Sequence, residues 1–260
     1  DNSYYTMSDE NNYTIWHFLK VCNERGLIYA GTDVMPWCPR CGTGLSQQEV
    51  AEGYMDIVHP GLYVQFPILG QENEFLLVWT TTPWTLTSNT GVYVHPELTY
   101  VKVRIQHGEV LYLLKSRVSE IKMEYEVIEE LQGNVLDGLR YTGPFDELEV
   151  QQGVDRRVVL WDEVNETEGT GIVHAAPGAG AEDFKISKQM NLEIIAPLDE
   201  FGVFVGGFGP FTGTSVFEVN EEIYSSLRQK GVLYRLEDYE HRYPVCWRCS
   251  TQVVFRLVDE

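Results

Sequence analysis

Two cysteine pairs with matching flanks, one near each end of the chain, constrain the fold more than any other feature. The first reads Pro36-Trp37-Cys38-Pro39-Arg40-Cys41-Gly42-Thr43, and the second Pro244-Val245-Cys246-Trp247-Arg248-Cys249-Ser250-Thr251. Two Cys-x-x-Cys knuckles supply the four thiolates that tetrahedral zinc prefers. One structural zinc on Cys38, Cys41, Cys246 and Cys249 would tie residue 38 to residue 249. Everything between would then leave and re-enter a small zinc ribbon. Competing readings are a redox Cys-x-x-Cys, long-range disulfides of a secreted protein, and degenerate knuckles without metal. Cys22 lies in an apolar helical pattern and reads as a buried core thiol rather than a ligand.

The chain has 260 residues, room for one large domain or two small ones, and 43% of them are hydrophobic, enough for a core. No apolar run approaches the roughly 18 residues of a membrane helix, and no signal-peptide pattern opens the chain. Lys and Arg number 19 against 39 Asp and Glu, a net charge of −20. So acidic a body should repel nucleic acid, because phosphate neutralisation drives such binding. A nucleic-acid role must be local, or borrowed from a partner or a longer polypeptide.

The pattern predicts a helix over residues 8–25, with Ser8 and Asp9 as caps, Ile15, Trp16, Leu19 and Cys22 on one face, and Gly26 as the stop. A second helix is predicted over 216–230, with Val216, Val219, Ile223 and Leu227 on a face and Gly231 as its stop. Each is followed by Gly, two aliphatic residues and Tyr, then by a knuckle. Helix, glycine, short strand and knuckle thus occur twice, a pseudo-repeat framing an insertion. Within the insertion, strands are expected at 62–66, 75–80, 91–94, 100–105, 110–114, 158–161 and 171–174, with a helix over 181–190. Short alternating strands separated by Gly, Asn and Pro suggest a barrel. The fold class is therefore α+β and β-rich. Residues 116–155 give no clear pattern.

Two segments carry possible chemistry. In Trp79-Thr80-Thr81-Thr82-Pro83-Trp84-Thr85-Leu86, three hydroxyls close a strand that proline stops. Hydroxyls both donate and accept, so this edge suits sugar hydroxyls or a positioned water; an ordinary strand face is the bland alternative. The second segment runs Gly169-Thr170-Gly171-Ile172-Val173-His174-Ala175-Ala176-Pro177-Gly178-Ala179-Gly180-Ala181-Glu182-Asp183-Phe184. Asp183 falls in the first turn of a helix, where the dipole should keep a carboxylate ionised and able to grip an ammonium. A helix cap is the competing reading, and a structural histidine is the competing reading of His174. There is no Gly-x-Ser-x-Gly elbow, His-Glu-x-x-His, Walker loop or Gly-x-Gly-x-x-Gly.

These segments resemble the editing domain of isoleucyl-tRNA synthetases. Trp79 to Thr85, with Asn89 and Val92-Tyr93-Val94-His95-Pro96, resembles its threonine-rich signature; Gly169 to Phe184 resembles its second. Asp1-Asn2-Ser3-Tyr4-Tyr5-Thr6-Met7 resembles the passage from the catalytic domain into the connective insertion, and the knuckles match the zinc ribbon that frames it. Valyl and leucyl enzymes usually carry Arg-Pro-[Glu/Asp]-Thr where this chain has Thr82-Pro83-Trp84-Thr85, and usually lack a counterpart of His174. Thr87-Ser88 departs from the Pro and small residue common in the family.

The resemblance implies hydrolysis of valyl-tRNA on the isoleucine acceptor. An apolar pocket separates one methylene by only about 1–3 kcal/mol, so the resemblance implies a second, smaller sieve. Asp183 would anchor the α-ammonium, and His174 would exclude isoleucine's extra methylene. Thr80, Thr81, Thr82, Thr85 and Asn89 would bind the terminal adenosine and position water, beside Trp84. Implied segments are 1–33, a helical link to the catalytic domain; 34–61 and 231–260, the two halves of the zinc ribbon; and 62–230, the editing domain. Implied partners are the mischarged tRNA 3′ end and the rest of the synthetase chain, which would hold the ATP-dependent site. A monomeric, cytoplasmic fragment without aminoacylation activity is expected. A non-catalytic tRNA-positioning module and a free-standing deacylase are the alternatives.

Overall fold

The structure is a computed structural model that describes residues 3–259, so Asp1 and Asn2 of the opening motif lie outside the described residues. In chain order the elements are α1 (Asp9–Glu24), β1 (Thr32–Cys38), β2 (Thr43–Gly44), α2 (Gln47–Glu52), β3 (Tyr54–Pro67), β4 (Glu74–Thr80), β5 (Gly91–Val94) and β6 (Thr99–Ile105). They continue with β7 (Val110–Leu114), β8 (Tyr125–Gln132), β9 (Arg157–Leu160), β10 (Val173–Ala175), α3 (Ala181–Met190), α4 (Asn220–Gln229), β11 (Leu233–Pro244) and β12 (Val254–Asp259). No described helix is long and apolar enough to cross a membrane.

The described residues divide into two compact units, 3–33 with 258–259, and 34–257. In the first, Ser8 Oγ caps α1 by accepting from the Asn11 N–H at 3.2 Å, and Gly26 ends the helix at φ +69°. The expected apolar face stays unburied: Ile15, Trp16 and Leu19 are exposed, and Cys22 is half-buried rather than a core thiol. A single helix with an extended tail has no second layer to bury a stripe against. Leu27, Ile28 and Tyr29 form no strand, so the pseudo-repeat does not extend to this segment.

In the second unit a curled sheet of nine strands, among the described residues, runs β8-β6-β7-β4-β10-β5-β9, with β3 on the other edge of β4 and β11 beyond β3. Both faces of its central strands are covered. Leu62, Val64, Phe66, Leu76 and Val78 of β3 and β4 point into one core with Tyr112 and Leu114 of β7. The alternate residues Tyr63, Leu77, Leu111 and Leu113 point into another. All five residues of β7 are therefore buried. On a third side α3 packs Ile186 against Tyr93, Val159 and Ala175.

The helix expected from 216 begins only at Asn220; Val216 and Val219 are buried in the turn before it. β3 and β11 pair without a break from Tyr54 opposite Pro244 to Leu233 opposite Val64, apart from one bulge. This ribbon runs from the knuckles straight into the curled sheet.

Candidate active site and metal centre

One edge of β4 is shared between two partners. β7 pairs in parallel with Glu74–Leu76, and β10 pairs with Trp79 farther along. The turn Gly169-Thr170-Gly171 fills the place where they part, and the Thr170 carbonyl accepts from the Leu114 N–H at 2.8 Å. Both glycines are required there. Gly169 and Gly171 have φ of +58° and +72°, and a Cβ on either would lie 2.6 Å from the Trp79 ring or 2.4 Å from Leu114 Cβ.

Beside this turn lies a cavity of about 410 Å³ lined by Thr80, Thr81, Thr82, Trp84, Thr85, His174 and Asp183. The structure thus brings the two sequence segments together. Trp79, Glu168, Ile172, Ala176, Tyr243 and Phe255 complete much of the wall. Tyr243 of β11 and Phe255 of β12 flank the second cysteine pair, and no local pattern marks them. A second cavity of about 310 Å³ shares Thr81, Thr82, Trp84 and Tyr243 with the first and adds Val58, His59 and Phe217.

The tautomer of His174 follows from counting protons. Thr85 Oγ1 lies 2.7 Å from the Thr82 carbonyl and 3.0 Å from His174 Nε2. A hydroxyl has one proton to donate, and the carbonyl can only accept. The His174 Nε2–H must therefore donate to Thr85. Nδ1 remains an acceptor, buried and without a protein partner. Burial lowers the pKa of His174 to about 4, which keeps the ring neutral.

Asp183 is not the helix cap. Gly180 holds that position, and Asp183 Oδ2 instead accepts from the Ala176 N–H at 2.8 Å, closing the loop between β10 and α3. Nor does the helix start hold the carboxylate at an ordinary value. Burial raises it to about 6, with the Ala176 N–H and the Tyr93 hydroxyl opposing the rise and Glu182 adding to it. Desolvation outweighs the dipole, although the group is still ionised at neutral pH.

Asn89 lies behind the cavity rather than in its lining. Its Oδ1 accepts from the Tyr141 hydroxyl at 2.7 Å, and its amide donates to the carbonyls of Gly91 at 2.8 Å and Ala175 at 3.4 Å. With these groups engaged, the side chain ties the threonine segment to β5 and β10. Thr80 also works locally, its Oγ1 accepting from the Thr82 N–H at 3.1 Å.

The cysteine pairs converge. Sγ–Sγ distances are 3.5 Å for Cys38–Cys249, 3.6 Å for Cys41–Cys249 and 4.0 Å for Cys41–Cys246. A tetrahedron with zinc–sulfur bonds of about 2.3 Å has edges of about 3.8 Å, so the four sulfurs fit such an ion. The spacings are far longer than a disulfide bond of about 2.05 Å. The two knuckles also share a backbone. The Gly42 N–H bonds to the Cys38 carbonyl at 2.9 Å and the Ser250 N–H to the Cys246 carbonyl at 2.7 Å, with φ of +62° and +58°. Burial raises the Cys38 thiol to about 12, and the Thr251 hydroxyl lowers Cys249 to about 6.

Comparison with known proteins is consistent with this geometry. Residues 1–253 match the family described as tRNA synthetases class I (I, L, M and V). The isoleucine–tRNA ligase of Pyrococcus horikoshii is 41% identical over 274 residues, covering 100% of this chain and 26% of the relative. That of Methanothermobacter thermautotrophicus is 39% identical over 262 residues, covering 100% and 25%. The chain thus spans about a quarter of the length of the curated relatives it matches. Among solved structures, the crystal structure of GlLeuRS-CP1 aligns with a TM-score of 0.58 at 14% identity, over 68% of this chain and 99% of the other. The editing domain of the P. falciparum cytosolic leucyl-tRNA synthetase aligns with a TM-score of 0.55 at 8% identity, over 69% and 99%. At such identities the likeness is one of fold.

Proposed function

The chain belongs to the class I tRNA synthetases, with isoleucine–tRNA ligases among its relatives, and from that premise we propose that it is an editing module that hydrolyses valyl-tRNA formed on the isoleucine acceptor. The observation that carries this reading is one cavity holding a buried carboxylate, a neutral histidine and the threonine edge together. An aminoacyl ester differs from other esters of the tRNA end by its α-ammonium, and Asp183 is the buried anion suited to bind it. Pairing with the ammonium would offset the desolvation that raises the carboxylate's pKa to about 6.

Thr81, Thr82 and the hydroxyls beside them would hold the terminal ribose, with the adjoining second cavity giving room for the base. A water oxygen adds to the ester carbonyl, and the tetrahedral oxyanion collapses with loss of the ribose oxygen. That oxygen takes up a proton, and valine is released. A histidine whose pKa is about 4 is a weak base at neutral pH. The rate would thus rest on oriented water and fixed dipoles, with the proton lost by the attacking water passing through solvent to the departing ribose oxygen. The rigid ring, held by Thr85, would be the wall against one more methylene.

Cys38, Cys41, Cys246 and Cys249 would hold a structural zinc, which supplies no chemistry to the cavity and keeps the two ends of the insertion in register. Partners would be the tRNA 3′ end and the remainder of a synthetase chain, in the cytoplasm. The test is ester loss from valyl-tRNA charged on the isoleucine acceptor, with isoleucyl-tRNA as the control. Release of valine with sparing of isoleucine is expected. Equal stability of both esters, in this chain and in the full-length enzyme, would refute the proposal.

A further inference from the structure

Tyr93 is a fully buried tyrosine whose hydroxyl has no closed hydrogen bond. Such orphans are destabilising and few in native folds, so each calls for an explanation. Tyr93 lies on β5 opposite Val173 of β10, while the neighbouring pair is Val92 with His174. Directly opposed residues share a face of the sheet, so Tyr93 and His174 lie on opposite faces. The Tyr93 face is covered by α3. The ring packs with Ile186 and Val159 and meets Trp161 edge-on, with centroids 5.2 Å apart. Its oxygen lies close enough to interact with the Asp183 carboxylate in the first turn of α3, to which the Ala176 N–H already donates at 2.8 Å.

We infer that Tyr93 is a positioning residue for the proposed reaction: its O–H donates to the Asp183 carboxylate whenever that carboxylate is ionised, fixing the rotamer and keeping the charge ready for an α-ammonium. The inference rests on the reading of Asp183 as the ammonium anchor. No bond breaks at Tyr93. Burial, and the negative charge of Asp183, push its phenol far above the usual range, so it keeps its proton. The other groups facing this pair are Glu182, which disfavours the carboxylate's charge, and Tyr141, which disfavours that of the phenol. A donor poised on the protein side of the carboxylate leaves its cavity side for the ligand.

Tyr93→Phe deletes only the oxygen. Loss of a hydrogen bond to a charged group corresponds to about one pH unit in the carboxylate's affinity for a proton. The acid limb of valyl-ester hydrolysis should move up by that amount. The loss in kcat/KM should then be about fivefold at pH 6 and fade by pH 8. A purely structural change would lower the rate evenly across pH. The acid limb staying at its wild-type position in a folded Tyr93→Phe would overturn the inference.

A second measurement needs neither substrate nor that variant. In the wild-type chain the carbon-13 signal of Tyr93 Cζ should titrate with a midpoint near 6, and it should be flat in Asp183→Asn. A flat wild-type signal between about pH 5 and 7.5 would also overturn it. Undiminished valyl-ester hydrolysis by Asp183→Asn would instead overturn the anchor reading, and with it the role inferred for Tyr93. The Cζ titration separates the two failures.

Discussion

Asp183→Asn should make the protein more stable at alkaline pH while removing most of its hydrolysis. Burial raises the carboxyl from 3.8 to about 6. At about 1.4 kcal/mol per unit, the ionised group is disfavoured in the fold by roughly 3 kcal/mol. The sign matters. A carboxyl whose folded pKa is raised stabilises the fold at low pH, and that stability is lost as pH rises from the unfolded value through the folded one. Wild type should therefore be at its relative worst above pH 6, where asparagine carries no charge to desolvate. The amide oxygen can still accept from the Ala176 N–H, but the new NH2 needs a partner of its own. A net gain of about 1–3 kcal/mol at pH 8 follows, shrinking toward zero near pH 4. Urea titrations of both proteins at pH 8 and pH 4.5 measure it. Valyl-ester hydrolysis should fall about 10- to 150-fold, the loss of one charge-assisted contact of about 1.5–3 kcal/mol. A variant less stable than wild type at pH 8 would mean that the carboxylate serves mainly to hold the Ala176 loop. Full hydrolysis would mean that it does not meet the ammonium.

His174 should act in the opposite sense on stability. Its pKa falls from 6.5 to about 4, so up to about 3 kcal/mol present above pH 6.5 is lost as pH falls toward 4. His174→Gln should flatten that limb in urea titrations, and an unchanged limb would show that the ring is not desolvated. Gly171→Ala should destabilise by at least about 1–3 kcal/mol, read by calorimetry, since its backbone is left-handed and a Cβ would lie 2.4 Å from Leu114 Cβ. Metal analysis should give one zinc per chain in wild type and in Cys22→Ser. Cys246→Ser should lose it, with a lower melting temperature, and zinc-free wild type would contradict the metal reading.

The sequence made strands with both faces buried easy to place. β5 and β7 start and end where Gly91-Val92-Tyr93-Val94 and Val110-Leu111-Tyr112-Leu113-Leu114 do, because continuous apolar runs have few other uses at that length. β11 reads otherwise. Leu-Tyr-Arg-Leu-Glu-Asp-Tyr-Glu-His-Arg-Tyr-Pro has no apolar face, and its partner β3 lies far away in sequence. Much of that ribbon is open to solvent, so charge is tolerated throughout. The edge strand β8 escaped notice for the same reason. Val216 and Val219 have helical spacing but lie in a turn against the same core, which periodicity alone cannot distinguish.

At the site, the threonines, His174 and Asp183 were legible because each stands in a distinctive local segment. Tyr243 and Phe255 were not, since only the tertiary fold brings them to the cavity. The position of Asn89 behind the wall, and the raised proton affinity of Asp183, likewise depend on what surrounds them rather than on what flanks them.

The central claim is that this cavity accepts a valyl ester and that His174 is the wall that excludes an isoleucyl one. The direct measurement is the rate of ester loss from valyl- and isoleucyl-tRNA on the isoleucine acceptor, for wild type and His174→Ala in parallel. Wild type should clear the valyl ester and spare the isoleucyl one. His174→Ala should clear both, because removing the imidazole opens room for a further methylene. Isoleucyl ester spared by His174→Ala while the valyl ester is still cleared would contradict the account.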